Sequence, residues 1–355
     1  MTVQLSRREF LASTSAAMIT SSLNTAAPVR SLGIAWTSFP IRMGGSVQAI
    51  ARNAAALPAE EFIPLCHSFG AQGCQMGFSQ LVSDEAAYLR RIRRLLEERN
   101  MFLELGIDAR LLSDEAAYAR MAAAARELGV SRLRVACLSG RRYENFHALS
   151  QWQEFANNWQ QTLRRAAPLI EKHRLLVGIE NHKDWLADEL IELLRHADSQ
   201  YLGVCVDFGN NLALLEDSVE VATKLAPFVV TTHLKDMALR PDADGFQLSE
   251  VPLGDGMLPL GKLADTLRRA RRDVHFCLEM ITRDPLKVPY LTDHYWATYT
   301  QRDTQRIEKF RAAVLSRASA KPLPVTSGLS REQLLEAENN NLRRSMDYAR
   351  RVLKL

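Results

Sequence analysis

Paired cysteine is missing from this chain of 355 residues. Its five cysteines, Cys66, Cys74, Cys137, Cys205 and Cys277, are odd in number, scattered and nowhere spaced C-x-x-C, which excludes a disulfide framework. The last three lie in apolar, strand-like runs, where cysteine behaves as a small buried hydrophobe. An excess of one charge is missing too. Against 45 Lys and Arg stand 41 Asp and Glu, and the resulting +4 is too small for the electrostatic footprint of a nucleic-acid binder. No run is long and apolar enough to span a bilayer. A G-x-G-x-x-G phosphate loop is also absent, since the first strand-like run leads into SFPIRMGGS. What is present, 47% hydrophobic and 24% charged residues, suffices for a large core and excludes disorder.

The first thirty residues stand apart. SRREFLASTSAAMITSSLNTAAP places Arg7 and Arg8 before Phe10 and Leu11, then a small-residue stretch broken by Ser, Thr and Asn, then Ala26 and Ala27 beside Pro28. It resembles a twin-arginine export signal, which implies a periplasmic destination with no stable membrane insertion. The alternative is a disordered basic start to a cytoplasmic protein. That route carries folded protein, so reduced core cysteines fit either destination.

From residue 31 short apolar runs alternate with longer amphipathic ones. Eight runs read as strands, near 31–39, 73–79, 101–107, 131–138, 174–181, 201–208, 228–234 and 274–280. Helical patterns lie between them, and TQRIEKFRAAVLSRA follows the last. SDEAAY at 83–88 and again at 113–118 reads as two similar helix starts, with no longer period behind them. Strict alternation predicts a parallel sheet clothed in helices, and eight units favour a closed (β/α)₈ TIM barrel over an open sheet. The barrel is expected over 31–318, with a linker and C-terminal helix over 319–355.

In that fold the chemistry gathers where strands end. The fifth to eighth runs end in Glu180, Asp207, His233 and Glu279. Strand alternation places the small residues Gly178, Cys205, Thr231 and Cys277 on the same face beneath them, leaving room for a polar centre. Taken singly, each is more readily a solvated acid or a satisfied histidine. Four consecutive strand ends agreeing point instead to a site. Three carboxylates and an imidazole converging without a cation would repel, and an oxygen-rich set suits one divalent ion, Mn²⁺ first, with Mg²⁺ or Co²⁺ as alternatives.

VGIENH, VCVDFGN, THLKD and CLEM together resemble the strand ends of the xylose isomerase-like TIM barrels, the group of sugar phosphate isomerases and epimerases, over residues 31–315. The resemblance implies Glu180, Asp207, His233 and Glu279 as metal ligands. It also implies Glu180 and Glu279 as the pair that moves protons on a carbohydrate substrate. A cation-stabilised enolate then leads to epimerisation, to isomerisation or, if a leaving group departs, to elimination. Lyases of the family, including decarboxylases of oxo-sugar acids and enzymes that cleave 3-keto-glycosides, are the alternative. The three-zinc nucleases of this barrel need histidines after the second and third strands, and QMGFSQ and ELGIDAR have none. A non-catalytic sugar-binding relic would be expected to have lost a ligand.

The sequence departs from the family at Asn210, where sugar epimerases often carry a substrate-holding histidine. Asn210, His182 and Lys235, the last two sharing the orientation of Glu180 and His233, are candidate substrate contacts together with Arg283 and Trp36. Lys183 and Asp184 read as a solvated loop. Arg141, Arg142 and Lys287 are weaker basic candidates, with surface salt bridging preferred for Lys287. Residues 240–260 read as a lid or specificity loop. In the C-terminal helix, Ser330 and Gln333 form a capping box, and Leu335, Leu342, Met346, Ala349 and Leu353 make one apolar face. That face needs a partner, either its own barrel or a second subunit in a homo-oligomer.

Overall fold

All eight apolar runs become strands, and they close into one parallel barrel. The computed structural model describes residues 31–44 and 57–355, so the expected export signal at 1–30 lies outside the described residues. The barrel strands are β1 (Leu32–Ala35), β2 (Gly73–Gly77), β3 (Phe102–Gly106), β4 (Arg132–Val135), β5 (Leu176–Glu180), β6 (Leu202–Asp207), β7 (Val229–Leu234) and β10 (Phe276–Leu278). They follow one another around the ring, and β10 closes on β1. Helices α1 (Ala59–Ser68), α2 (Ala86–Glu98), α3 (Glu115–Leu128), α5 (Leu149–His173), α6 (Ala187–Ala197), α7 (Ser218–Leu225) and α8 (Leu260–Ala270) clothe it. Their apolar stripes recur at helical spacing, as with Leu89, Ile92 and Leu96 of α2. The two SDEAAY segments differ in detail: Asp114 caps α3 through the amide of Ala117, whereas α2 starts at Ala86 without a side-chain cap.

Polar groups run up the middle of the barrel between two aromatic plugs. At the amino end Phe102 stacks on His275, with ring centroids 3.7 Å apart, and lies across β2. A Cβ at Gly73 would sit 2.3 Å from that ring, which is why glycine stands there. At the carboxyl end Trp36 lies over Gly106, where a Cβ would come within 2.2 Å of the indole.

The segment expected to be a lid is a small sheet instead. β8 (Asp236–Asp242) and β9 (Gly245–Val251) form a tight antiparallel hairpin, to which β11 (Leu286–Val288) adds a third strand. The run alternates enough to pair, and Gly245 supplies the positive φ after its turn. Asp236 pins the loop beyond the hairpin to the hairpin's own start, accepting backbone bonds from Met237, Gly254, Gly256 and Leu258. Two short helices, α4 (Arg142–Asn145) and α9 (Asp293–Trp296), sit at the same end of the barrel.

The helix after the last barrel strand, α10 (Thr304–Ala313), braces this cap. Phe310 stacks on Phe246 of β9, and Lys309 pairs with Glu220 of α7. The outer position between α8 and α1 is filled by the C-terminal helix, α11 (Arg331–Arg351). Arg343 lies over Phe69 at the end of α1, while Arg268 of α8 donates to the carbonyls of Leu353 and Lys354. Leu342, Met346, Ala349 and Leu353 join the barrel's own core, so the face whose partner the sequence left open is covered within the chain. Ser330 and Gln333 form the expected capping box.

One acid is buried under α11. Glu338 is fully buried, accepts the amide of Ile41 at 2.8 Å and lies 3.5 Å from the Arg42 guanidinium. Burial pushes its carboxyl up to about 7, against the Ile41 bond and Arg42. An acid raised by folding favours the fold while protonated. Its contribution is therefore complete below about pH 4.5 and is lost as the pH rises through about 7. Glu338→Gln, neutral throughout, should gain on the wild type between about pH 5 and about pH 8 by on the order of 2 kcal/mol, read from denaturant melts at the two pH values. A difference that ignores pH would refute this account.

Candidate metal centre

Glu180, Asp207, His233 and Glu279 end β5, β6, β7 and the run after β10, and the barrel brings them together. Their ligating atoms all lie within 4.8 Å of one another, and none of the four residues is more than 4% exposed. A register shift in β6 between Val204 and Cys205 sets Asp207 opposite His233. Around His233 Nδ1 converge Glu180 Oε1 at 3.3 Å, Glu279 Oε1 at 3.4 Å and Asp207 Oδ2 at 3.8 Å.

Each carboxylate divides its two oxygens between the centre and an anchor. Glu180 gives Oε2 to Arg134, whose Nε donates at 2.6 Å and whose second nitrogen also bonds it. Glu279 gives Oε2 to Lys235 and takes the Thr37 hydroxyl on Oε1 at 2.7 Å. Asp207 Oδ1 accepts the amides of Gly209 and Asn210, each at 2.8 Å. Asp207 Oδ2 lies 2.8 Å from Lys235 Nζ without hydrogen-bonding alignment, and it and His233 Nδ1 are buried polar atoms with no hydrogen-bond partner. Buried atoms of this kind call for a ligand. An imidazole nitrogen and three single carboxylate oxygens form a donor set that fits a divalent cation.

Burial would raise the glutamate carboxyls, but Arg134 and then His233 hold Glu180 below the usual carboxylate range, and Lys235 and His233 do the same for Glu279. Asp207 goes the other way. Its burial, with the like charges of Glu279 and Glu180, outweighs Lys235. Lys235 is itself held above its usual range, because Asp207 and Glu279 more than offset its burial.

Of the expected substrate contacts, Lys235 is fully in the site. Asn210 is also in the site, donating to Glu180 Oε1 at 3.0 Å and accepting from Lys183. His182 and Trp36 are half-buried near the rim; Nδ1 of His182 is buried without a partner, and Arg134 lies 5.4 Å over the Trp36 ring. Arg283 is tied bidentately to buried Glu250 of β9, whose carboxyl it holds down at about 2 against the effect of burial. Arg142 belongs to the core, between the rings of Trp152 and Tyr299 and bonded to Glu189. Arg141 pairs with Glu144, and Lys287 is exposed.

Lys183 and Asp184, expected in a solvated loop, are buried at 3% and 0% exposure. The loop turns back over the barrel mouth because the Lys183 carbonyl accepts the Arg142 amide and Asn181 bonds the backbone of Asp207 on both sides. Burial carries the Asp184 carboxyl up to about 7.

The space beneath the ligands is filled by two residues that sequence reasoning passed over. His233 Nε2 lies 2.7 Å from Gln75 Oε1; Gln75 Nε2 donates to Glu104 at 3.0 Å, and Glu104 also accepts from Thr231 at 2.7 Å. Glu104 in turn meets His275 Nδ1 at 2.7 Å. Because Gln75 spends its amide on Glu104, it offers only its carbonyl oxygen to the ring. His233 therefore donates from Nε2, which leaves Nδ1 as the atom facing the centre, free to hold a cation once its own proton is displaced. The signal was available in the sequence: Gln75, Glu104 and Arg134 are polar residues at the middle of apolar strands. Gln75→Leu should lower affinity for Mn²⁺ by about 10–100-fold in a direct metal titration while leaving the far-UV spectrum unchanged. An unchanged affinity would remove Gln75 from the site's support.

Comparison with known proteins agrees with this fold. A 119-residue stretch is 32% identical to 3-oxo-isoapionate decarboxylase of Pectobacterium atrosepticum, covering 33% of this chain and 43% of the relative, less than half its length. The crystal structure of a D-psicose 3-epimerase in the presence of D-fructose superposes with a TM-score of 0.57 at 13% identity, over 91% of this chain and 99% of that one. A xylose isomerase-like TIM barrel protein from Mycobacterium smegmatis in complex with magnesium gives 0.53 at 12% identity, over 80% and 97%. At such identities the two structures speak for the fold. The model of the xylose isomerase-like TIM barrel matches residues 63–309, and the chain belongs to that family.

Proposed function

We propose that the chain is a divalent-metal-dependent isomerase or epimerase acting on a keto-sugar or a sugar derivative through an enediolate. The observation that carries this reading is the pair of glutamates, each with one oxygen free of protein cations and aimed at a shared centre that also holds an unpartnered imidazole nitrogen. Glu180, Asp207, His233 and Glu279 would hold the ion. Of the candidate ions Mn²⁺ suits the oxygen-dominated set, with Mg²⁺ and Co²⁺ as alternatives. Bound there, it supplies charge stabilisation for the enediolate.

The chain's own residues supply the rest. Glu180 and Glu279 are kept ionised by Arg134 and Lys235, so either is ready to take a proton from a carbon beside a carbonyl. They reach the centre from non-adjacent strands, β5 and the end of β10, which lets one remove a proton and the other return it elsewhere. Thr37 and Asn210 fix the two carboxylates by hydrogen bonds, and burial of the cluster keeps bulk water from quenching the intermediate. His182, Trp36 and Arg283 are the proposed substrate contacts, Arg283 from its pairing with Glu250. A lyase is the second reading, favoured by the partial likeness to a decarboxylase. The proposal includes export by residues 1–30 and hence a substrate met outside the cytoplasm.

Metal analysis of the purified chain and incubation with Mn²⁺ in deuterated water, over a panel of ketoses and 3-keto-glycosides, test it. Deuterium should enter a carbon beside the carbonyl. Glu180→Gln and Glu279→Gln should each reduce that exchange by at least about 100-fold. Products then separate epimer or isomer from a cleaved fragment, and absence of stoichiometric metal would end the reading.

A further inference from the structure

With His233 neutral, as an imidazole must be to hold a metal, the formal charges of the protein groups around the centre balance. Without an ion, and against its burial, Cys205, Glu279 and Glu180 hold that imidazole above its usual range. Glu180, Asp207 and Glu279 bring three negative charges, and Arg134, Lys235 and Lys183 bring three positive ones, while Arg283 and Glu250 cancel as a pair. A divalent ion leaves the pocket two charges positive. In a buried site such an excess persists only if an anion enters with the ion.

Lys183 shows where that anion belongs. Its side chain is buried at 3% exposure, and its ammonium reaches the neutral oxygen of Asn210. Unlike Arg134, Lys235 and Arg283, it makes no ion pair among the described residues. Its amine is pushed down to about 8 by burial and by the like charges of Lys235 and Arg283. A buried cation without a counter-ion is costly in a fold and useful in a binding site. Asn210, which it contacts, also holds Glu180, so the ammonium stands beside the reacting groups and not in a separate pocket.

We infer that the substrate is a sugar acid, an oxo-acid whose carboxylate is received by Lys183, and not a neutral ketose. This rests on the enediolate reading for the reacting end of the molecule and adds its charged end. The same ammonium would serve an isomerase or a decarboxylase, since it recognises the carboxylate and leaves its fate to the other groups.

Calorimetric titration of the Mn²⁺-loaded full chain with erythronate, xylonate and gluconate, beside the polyols of matching length, tests the inference. At least one acid is expected to bind at least about tenfold more tightly than its polyol, and Lys183→Met is expected to abolish that preference while keeping the metal content. Lys183→Met without ligand should melt no lower than the wild type, because a methionine of similar length removes an unpaired charge. Acids and polyols binding alike, no acid binding, a preference that survives Lys183→Met, or a variant that melts lower each overturn it. Wild-type protein without stoichiometric metal that still prefers acids through Lys183 would overturn the enediolate reading alone. Stoichiometric metal with no acid preference would overturn this inference alone.

Discussion

Three carboxylates forced onto one imidazole are the constraint around which the rest of this barrel is arranged. Like charges at such distances would drive one another to protonate. Here each carboxylate gives one oxygen to an anchor, Arg134, Lys235 or a pair of backbone amides, and keeps the other for the centre. The anchors come from β4, from the residue after β7 and from the turn after β6, so the strand order of the barrel is also the order of the counter-charges.

The support continues downward. Below the ligands Gln75, Glu104 and His275 form a polar column through the middle of the barrel, ending in Arg132 and Asp273 at the amino end. Buried polar chains are stable only when fully satisfied. Glu104 shows this: four neighbours, His275, Gln75, Thr231 and Cys277, approach its two oxygens. His275 and those hydrogen bonds outweigh its burial and hold the carboxyl below its usual range. The column occupies space that aliphatic layers usually fill in such a barrel. Thr231 and Cys277 are small where they meet Glu104, whereas Gly178 is required by the β6 backbone, since a Cβ there would lie 2.8 Å from the Cys205 nitrogen.

The barrel and the four ligands are legible in the sequence because both write themselves locally. An apolar run that ends in an acid or histidine needs no knowledge of its neighbours, and eight runs with helices between them leave few topologies. Features that depend on distant partners are not legible. Lys183 reads as solvated because nothing near it in sequence shows that Arg142 draws its backbone inward. The stretch 240–260 reads as a lid because its pairing partner, β11, lies well beyond it. The apolar face of the C-terminal helix is plain at 342, 346, 349 and 353, but which wall it completes is a property of the closed ring. Asn210 reads as a candidate substrate contact, but the bridge its amide makes between Glu180 and two lysines joins residues distant in the chain.

The seat of α11 also bears on the kinetics of the fold. Its bonds to Ile41 and Arg42 join residues 297 positions apart in the chain. Loops of that span are entropically expensive to close, so these contacts form after local strand–helix units have gathered. A wall added after the transition state governs escape from the native state more than arrival at it. The seam between α1 and α11, the first and last outer helices, is thus the natural starting point for opening the barrel.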